Sequence, residues 1–162
     1  MKKIVNLTIL IALLAFSFIN FTACQTEVTT TTTSTTVVAP LVGYWKSSQG
    51  DGFEVTNATP KIFYQYDDAN KGVSFAGEIV NSSSLSSETG FLTIKITDKG
   101  TWVKTVGEFL VVRWKNLSGN ISKCSTPYKA GGKSTCATQT EAEAEFTEAN
   151  GYYSYYGEYT KQ

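Results

Sequence analysis

Apolar and polar residues alternate along several short stretches of this chain, which is the pattern of half-buried β-strands. Residues 73–79, 91–97 and 109–115 each place apolar side chains at every second position. In the second and third stretches these are Leu92, Ile94, Ile96, Leu110, Val112 and Trp114. Each stretch is therefore predicted to be a strand with one face in a core.

Turn residues delimit further short strands. Gly50, Asp51 and Gly52 separate residues 42–46 from residues 53–55, as in a β-hairpin. Two more strands are predicted at residues 61–66 and 120–124. About seven short antiparallel strands followed by one helix predict a mainly β fold, either a small antiparallel β-barrel or a sandwich.

One helix is predicted near the C-terminus. Thr138 and Glu141 have the spacing of a capping box, and the Asn-Gly pair at 150–151 is a natural helix stop. Its predicted buried face consists of Ala142, Phe146 and Ala149. Its glutamates, at positions 141, 143 and 145, are expected to form a solvated face.

The N-terminus has the order of charge, apolar run and small residues that marks a secretory signal. Lys2 and Lys3 precede an almost uncharged stretch from 4 to 21, and Phe-Thr-Ala precedes Cys24. A cysteine at the cleavage point resembles a bacterial lipoprotein signal. The resemblance implies cleavage before Cys24 and lipidation of its thiol and amine with acyl chains such as palmitate, which would hold the protein on a lipid bilayer. The alternatives are a secretory signal cut elsewhere and an uncut membrane anchor.

Three segments follow from this interpretation. Residues 1–23 are the expected signal peptide, residues 24–39 a lipidated tether, and residues 40–162 a single β-rich domain. Threonine dominates residues 26–36, which leaves too little apolar surface to offset the entropy of ordering. A glycosylated threonine stalk is the alternative to a plain tether.

Composition narrows the classes of function. The chain has 14 basic and 14 acidic residues among 162, and residues 24–162 retain 12 basic against 14 acidic. We therefore expect no nucleic-acid partner, which would need a concentrated basic patch. Histidine, the commonest general base and metal ligand, is absent. No catalytic motif is evident, so we expect a binding protein without enzyme activity, cofactor or metal. Asp67, Asp68 and Asn70, together with Asp51 if it lies nearby, are the remaining calcium candidate, although this run is also ordinary turn chemistry.

Two cysteines remain after Cys24. An even pair in an exported chain predicts a disulfide between Cys124 and Cys136, which would close a loop containing Pro127 and two glycines. The alternative is two free thiols.

Gly43 and Trp45 form a G-x-W at the first predicted strand. This resembles the opening of lipocalin-like domains and implies a tryptophan that closes the base of an eight-stranded barrel. The arginine that such domains carry before a final helix has no counterpart, since the single arginine, Arg113, lies on a predicted strand. The alternative is a core tryptophan in a solid domain.

Five tyrosines crowd the C-terminus: Tyr152, Tyr153, Tyr155, Tyr156 and Tyr159. They are a candidate binding surface, because tyrosine offers a large contact area at a small entropic cost. The alternative is a closing strand with some of the rings in the core.

Four segments resemble small lipoproteins of spirochaetes: residues 75–80, 90–95, 112–117 and 141–146. The resemblance implies location and fold and carries no catalytic residue. Gln25 after Cys24 implies the outer membrane under enteric-type sorting. We thus expect an exported cell-envelope lipoprotein whose domain engages a protein or glycan partner. The alternative is a lipocalin-like carrier of a small apolar ligand.

Overall fold

The structure is a computed structural model that describes residues 40–68, 70–101 and 105–162. The expected signal peptide, Cys24 and the threonine tether all lie outside the described residues. Within the described ranges, no helix is long and apolar enough to cross a membrane.

Eight antiparallel strands form a closed barrel in which each strand pairs with its neighbours in sequence and β1 also pairs with β8. The strands are β1 (Gly43–Lys46), β2 (Gly52–Val55), β3 (Ile62–Tyr66), β4 (Val73–Ser82), β5 (Gly90–Asp98), β6 (Phe109–Ser118), β7 (Ile121–Ser125) and β8 (Gly157–Lys161). The prediction of a mainly β fold is confirmed. Of the two architectures that the sequence left open, the barrel is the correct one.

Large rings fill the barrel interior. Trp45 stacks on Phe53 with centroids 5.7 Å apart, Phe53 on Phe63 at 5.9 Å, and Phe63 lies 5.8 Å from Phe75. This row of rings crosses β1 to β4. The apolar positions predicted on β5 and β6 face the same core and are buried.

One end of the barrel is closed by leucines. Leu41, Leu85 and Leu117 are buried there, and the Leu41 amide donates to the Leu85 carbonyl at 3.0 Å. Trp45 Nε1 donates to the Leu41 carbonyl at 2.9 Å, which ties the interior row of rings to this end. The connections β2–β3, β4–β5 and β6–β7 also lie at the closed end, because turns alternate between the two ends of a barrel of antiparallel strands.

The helix α1 (Gln139–Glu145) packs outside the barrel, beside β5 and β6. Thr138 caps it as predicted, since its hydroxyl accepts from the Glu141 amide at 3.2 Å. Ala142 and Phe146 are buried as expected. The domain therefore has a second apolar layer between the helix and the outer face of the sheet.

The helix is shorter than predicted and two expectations about it are wrong. It ends at Glu145 because the Asn150 side chain donates to the carbonyls of Ala144 and Glu145, at 3.1 and 2.8 Å. Ala149 is consequently exposed beyond the helix end. The expectation that all the glutamates point to solvent fails at Glu143, which faces the sheet.

Glu143 is the polar contact between helix and barrel. Its Oε1 accepts from Asn81 Nδ2 on β4 at 2.8 Å, from Thr93 Oγ1 on β5 at 2.8 Å and from Gln139 Nε2 at 3.0 Å. These hydrogen bonds, that from Asn81 first, hold the pKa of Glu143 below its usual range. The carboxylate thus fixes α1 against two strands.

Candidate functional site: the barrel mouth

The end opposite the leucines is a polar pocket of about 200 Å³, which we call the mouth. The connections after β1, β3, β5 and β7 all meet there. The lining residues are Asp51, Gln65, Tyr66, Asp67, Ser74, Cys124, Ser125, Thr126 and Tyr159. Carboxylates, hydroxyls, an amide and a phenol therefore converge from separate parts of the chain.

Asp51 joins the first turn to the last strand. Its Oδ2 accepts from the Tyr159 hydroxyl at 3.0 Å, and its Oδ1 accepts from the Ser47 hydroxyl. Burial, followed by the nearby Cys124 and Asp51, raises the pKa of Tyr159 far above its ordinary value. The phenol therefore remains a neutral donor at every physiological pH.

Asp67 is the second carboxylate in the lining of the mouth. It accepts from the hydroxyls of Ser74 and Thr101, which come from β4 and from the β5–β6 connection. A carboxylate has about four lone-pair sites, so Asp51, which accepts from Tyr159 and Ser47, can accept further hydrogen bonds from a ligand in the pocket.

Asp68, by contrast, stabilises its own turn. Its Oδ1 accepts from the amides of Asn70 and Gly72 at 2.8 and 3.3 Å, which is the turn chemistry that the sequence offered as the alternative to calcium. Within the described ranges, no group of three His, Cys, Asp or Glu side chains is arranged to hold a metal ion.

Gln65 and Cys124 form the inner part of the mouth. Gln65 is buried and donates from Nε2 to the Gly52 carbonyl at 3.0 Å. Burial raises the pKa of the Cys124 thiol to about 12. A thiol with that pKa is protonated at neutral pH and is a poor nucleophile. The mouth is thus equipped to donate and accept hydrogen bonds.

A groove of about 270 Å³ adjoins the mouth and shares Cys124, Ser125, Thr126 and Tyr159 with it. Its rim carries two tyrosines whose rings lie largely in solvent, Tyr128 at 73% exposure and Tyr155 at 74%. Exposed rings beside a polar pocket offer apolar faces to a ligand whose other groups hydrogen-bond. We call this second feature the tyrosine groove.

The five C-terminal tyrosines, predicted as a candidate binding surface, do not share one exposed face. Tyr152, Tyr153 and Tyr159 are buried, so as a set the five do not form an exposed surface. Tyr155 is exposed on the tyrosine groove, and Tyr156 is half-buried in a different pocket. The alternative that placed some of the rings in the core of a closing strand describes Tyr159 on β8.

The predicted disulfide between Cys124 and Cys136 is not formed, and both buried cysteines are free thiols. Cys124 pairs with Trp114 in the middle of β6, whereas Cys136 pairs with Phe109 at the start of the same strand, five residues earlier. Five residues along a strand span roughly 16 Å. A disulfide needs Cα atoms within about 7 Å, so the ladder holds the two cysteines apart.

Gly43 and Trp45 lie on β1, away from the mouth. Trp45 is fully buried at the closed end, next to the leucines, and Gly43 has a positive φ of 122°. A Cβ at Gly43 would lie 2.9 Å from Cε of Lys161. The pair thus helps to close the barrel, and neither residue touches the mouth.

Sequence reasoning brought Asp51 and Asp67 together only as possible calcium ligands, and it missed Gln65 and Ser74 as parts of the mouth. The strand order did contain a signal for these residues. Each of them lies in or beside the β1–β2 or β3–β4 connection, and these two connections are separated by two strands. In a barrel of antiparallel strands such turns meet at one end. A second missed group, Tyr44, Tyr64 and Tyr66, clusters on the outer face with Lys71 Nζ 3.9 Å above the Tyr44 ring.

Comparison of the chain with protein-family models, with curated proteins and with solved structures found no match. The fold and the mouth are therefore the basis for a functional argument. A fold of this kind hosts unrelated activities, so the argument must come from the site.

Proposed function

We propose that this protein is a lipid-anchored cell-envelope lipoprotein whose barrel binds a glycan at the mouth. The anchoring part of the proposal is supported by the basic start, the apolar stretch and the small residues before Cys24. Two or more acyl chains on one residue give stable membrane attachment, whereas one chain gives marginal binding. The outer membrane is the proposed location.

Replacement of one atom tests the anchor. Cys24→Ser removes the thiol that would carry the diacylglycerol, and we expect the variant to leave the detergent phase when a cell extract is partitioned. Mass spectrometry of the wild-type N-terminal peptide should show acyl chains on Cys24. Detergent partitioning of the Cys24→Ser chain equal to that of the wild type would contradict the anchor without bearing on the mouth.

The observation that carries the binding function is the juxtaposition of the mouth with the tyrosine groove. A sugar presents hydroxyls around its edge and a C–H face, so it needs donors and acceptors beside an aromatic ring. Asp51, Asp67 and Ser74 supply hydrogen-bonding groups, and Tyr128 and Tyr155 supply the rings. Side chains already ordered by mutual hydrogen bonds lose little entropy when a ligand binds.

A glycan array probed with the full chain in detergent tests this binding. We expect the wild type to bind a subset of neutral oligosaccharides, and Tyr155→Ala to weaken that binding roughly tenfold or more, as truncation of an aromatic anchor commonly does. Asp51→Asn should weaken it as well, because the carboxylate loses acceptor strength towards sugar hydroxyls.

Ile121→Ala is the matched control. Ile121 is an exposed apolar residue at the closed end of the barrel, so its truncation should leave glycan binding unchanged. Equal loss in Tyr155→Ala and Ile121→Ala would contradict a site at the mouth. Binding of a protein by the wild type, with no glycan bound on the array, would favour a protein partner instead.

A carrier of a small apolar ligand is the second candidate. Its support is the closed eight-stranded barrel with Trp45 buried at the base. Against it stands the row of rings from Trp45 to Phe75, which occupies the interior between the two ends. Native mass spectrometry of the full chain distinguishes the candidates, because a carrier should retain about one small apolar molecule per chain and a mouth-binding protein should not.

A further inference from the structure

A pocket of about 450 Å³ lies on the outer face of the barrel, apart from the mouth. It is formed where the segment after α1 crosses β5 and β6. The side chains that line it include Phe91, Arg113, Trp114, Lys115 and Tyr156. We call it the arginine pocket, since it contains the single arginine of the chain.

Arg113 has no carboxylate partner among the described residues, where the ion pairs within 4.0 Å all involve lysines. Its guanidinium carbon instead lies 5.4 Å from the ring centroid of Tyr153. Its Nε is buried and lacks a hydrogen-bond partner in the described part of the chain. A buried donor without an acceptor is costly and rare in folded proteins, so the surrounding side chains do not fully satisfy this guanidinium.

A second cation stands beside it. Lys115 Nζ lies 3.8 Å from the centroid of the Tyr156 ring, and the Tyr156 hydroxyl donates to Glu148 Oε1 at 2.6 Å. Glu148 is thus the one carboxylate in the lining, and it is engaged by a phenol. Two cations against one carboxylate leave the pocket with a net positive charge, although the whole chain is neutral.

Flat apolar surfaces complete the pocket. Phe91 faces Arg113 across the β5–β6 ladder, and Trp114 contributes an edge while its Nε1 donates to the Ser87 carbonyl at 3.0 Å. Gly90 lets the Trp114 ring pack directly against the β5 backbone, since a Cβ there would lie 2.3 Å from that ring. The pocket therefore combines a guanidinium, an ammonium and aromatic walls in a volume that suits a small molecule.

We propose that the arginine pocket binds a small organic anion, in which a carboxylate or phosphate is carried on a flat apolar body. The anionic oxygens would accept from Arg113, whose planar fork matches both groups, while Lys115 adds attraction as a point charge. The apolar body would lie against the partly buried ring of Phe91. This site is independent of the mouth and of the lipid anchor.

Calorimetry on the full chain in detergent tests the site with four probes: phenyl phosphate, benzoate, inorganic phosphate and benzyl alcohol. We expect the two aromatic anions to bind at millimolar concentration or below, and inorganic phosphate and benzyl alcohol to bind more weakly. Added salt should weaken the binding of the anions, since the attraction is electrostatic. Benzyl alcohol binding as tightly as benzoate, or no binding of either aromatic anion, would overturn the proposal.

Three variants assign the binding to named side chains. Arg113→Met keeps the length of the chain but removes the charge, and should weaken phenyl phosphate binding roughly tenfold or more. Arg113→Lys keeps the positive charge but lacks the planar guanidinium that donates two parallel hydrogen bonds, so it should weaken phenyl phosphate binding less than Arg113→Met does. It replaces Arg113→Met in the test if that variant fails to fold. Lys95→Met, an exposed lysine of β5 outside the pocket, is the control and should bind as the wild type does. Unchanged affinity in a folded Arg113 variant would overturn the assignment.

Discussion

Tyr152 and Tyr155 are three residues apart and have opposite surroundings. Tyr152 is 1% exposed, its ring packs edge-on against Phe146 at 5.0 Å, and its hydroxyl donates to Glu145 at 2.6 Å. Tyr155 projects into solvent at 74% exposure. The same residue type therefore serves the core at one position and a surface at the other.

The first prediction compares these two tyrosines. Tyr152→Ala removes a buried ring and should lower the free energy of unfolding by about 3–5 kcal/mol. Tyr155→Ala removes an exposed ring and should change it by no more than about 0.5 kcal/mol. Urea unfolding followed by tryptophan fluorescence measures both. Similar losses in the two variants would show that the ring of Tyr155 also contributes to folding.

The second prediction concerns the thiols. Cys124 and Cys136 are buried, and burial raises the pKa of both. We expect neither to react rapidly with a thiol reagent at pH 7 in the native protein, and both to react once the chain is unfolded in denaturant without reductant. A reductant should leave the midpoint of thermal unfolding unchanged. Failure of the unfolded, unreduced chain to react would indicate the disulfide after all.

The errors at this scale have a common physical cause. Counting two cysteines in an exported chain ignores the ladder that places Cys124 opposite Trp114 and Cys136 opposite Phe109. Counting tyrosines likewise does not show which of their rings are buried and which are exposed in the segment after α1. Whether the disulfide forms and which tyrosines are buried both depend on contacts between residues far apart in sequence, which local sequence patterns do not show.

At the scale of elements, the contact between α1 and the barrel depends on Glu143. Three donors meet one of its carboxylate oxygens, and two of them come from β4 and β5. The strands and the start of the helix were predictable, because alternation and capping-box spacing are local signals. The early end of the helix was not, since it depends on the Asn150 side chain folding back onto the carbonyls of Ala144 and Glu145.

The third prediction follows from the lowered pKa of Glu143. A carboxyl whose pKa is lower in the folded state contributes stability that is present above its unfolded-state pKa and is lost as the pH falls through the folded-state value. Glu143→Gln should therefore cost about 1–2 kcal/mol at pH 7. As the pH falls below about 4 the difference between the two proteins should shrink progressively, because wild-type Glu143 becomes protonated.

Glu158→Gln is the control for this experiment. Glu158 is exposed on β8 and lies 3.7 Å from Lys123, so its replacement should cost at most about 0.5 kcal/mol at either pH. Urea titrations at pH 7 and pH 3.5 compare the three proteins. A difference between wild type and Glu143→Gln that is the same at both pH values would rule out the charge of Glu143 as its source.

At the scale of the whole molecule, closure of the barrel was the step that the sequence left undecided. Seven predicted strands fit a barrel or a sandwich equally well, and the distinction rests on β8 pairing with β1 across almost the entire domain. The mouth is a consequence of that closure. Its residues are unremarkable turn and strand-end residues until the alternate connections are brought to one end.

The fourth prediction is that the seam between β1 and β8 is the least stable part of the barrel. There the ladder pairs Trp45 with Lys161 and Lys46 with Thr160, whereas β4 and β5 pair along most of their length, from Ala76 to Ser82. A short ladder at the chain end opens with a lower free energy than a long central one. Native-state hydrogen exchange should therefore show faster exchange at the Gln162 amide, which donates to the Tyr44 carbonyl at 3.0 Å, than at amides of β5. Equal protection of the two would mean that the barrel opens at this seam only by unfolding as a whole.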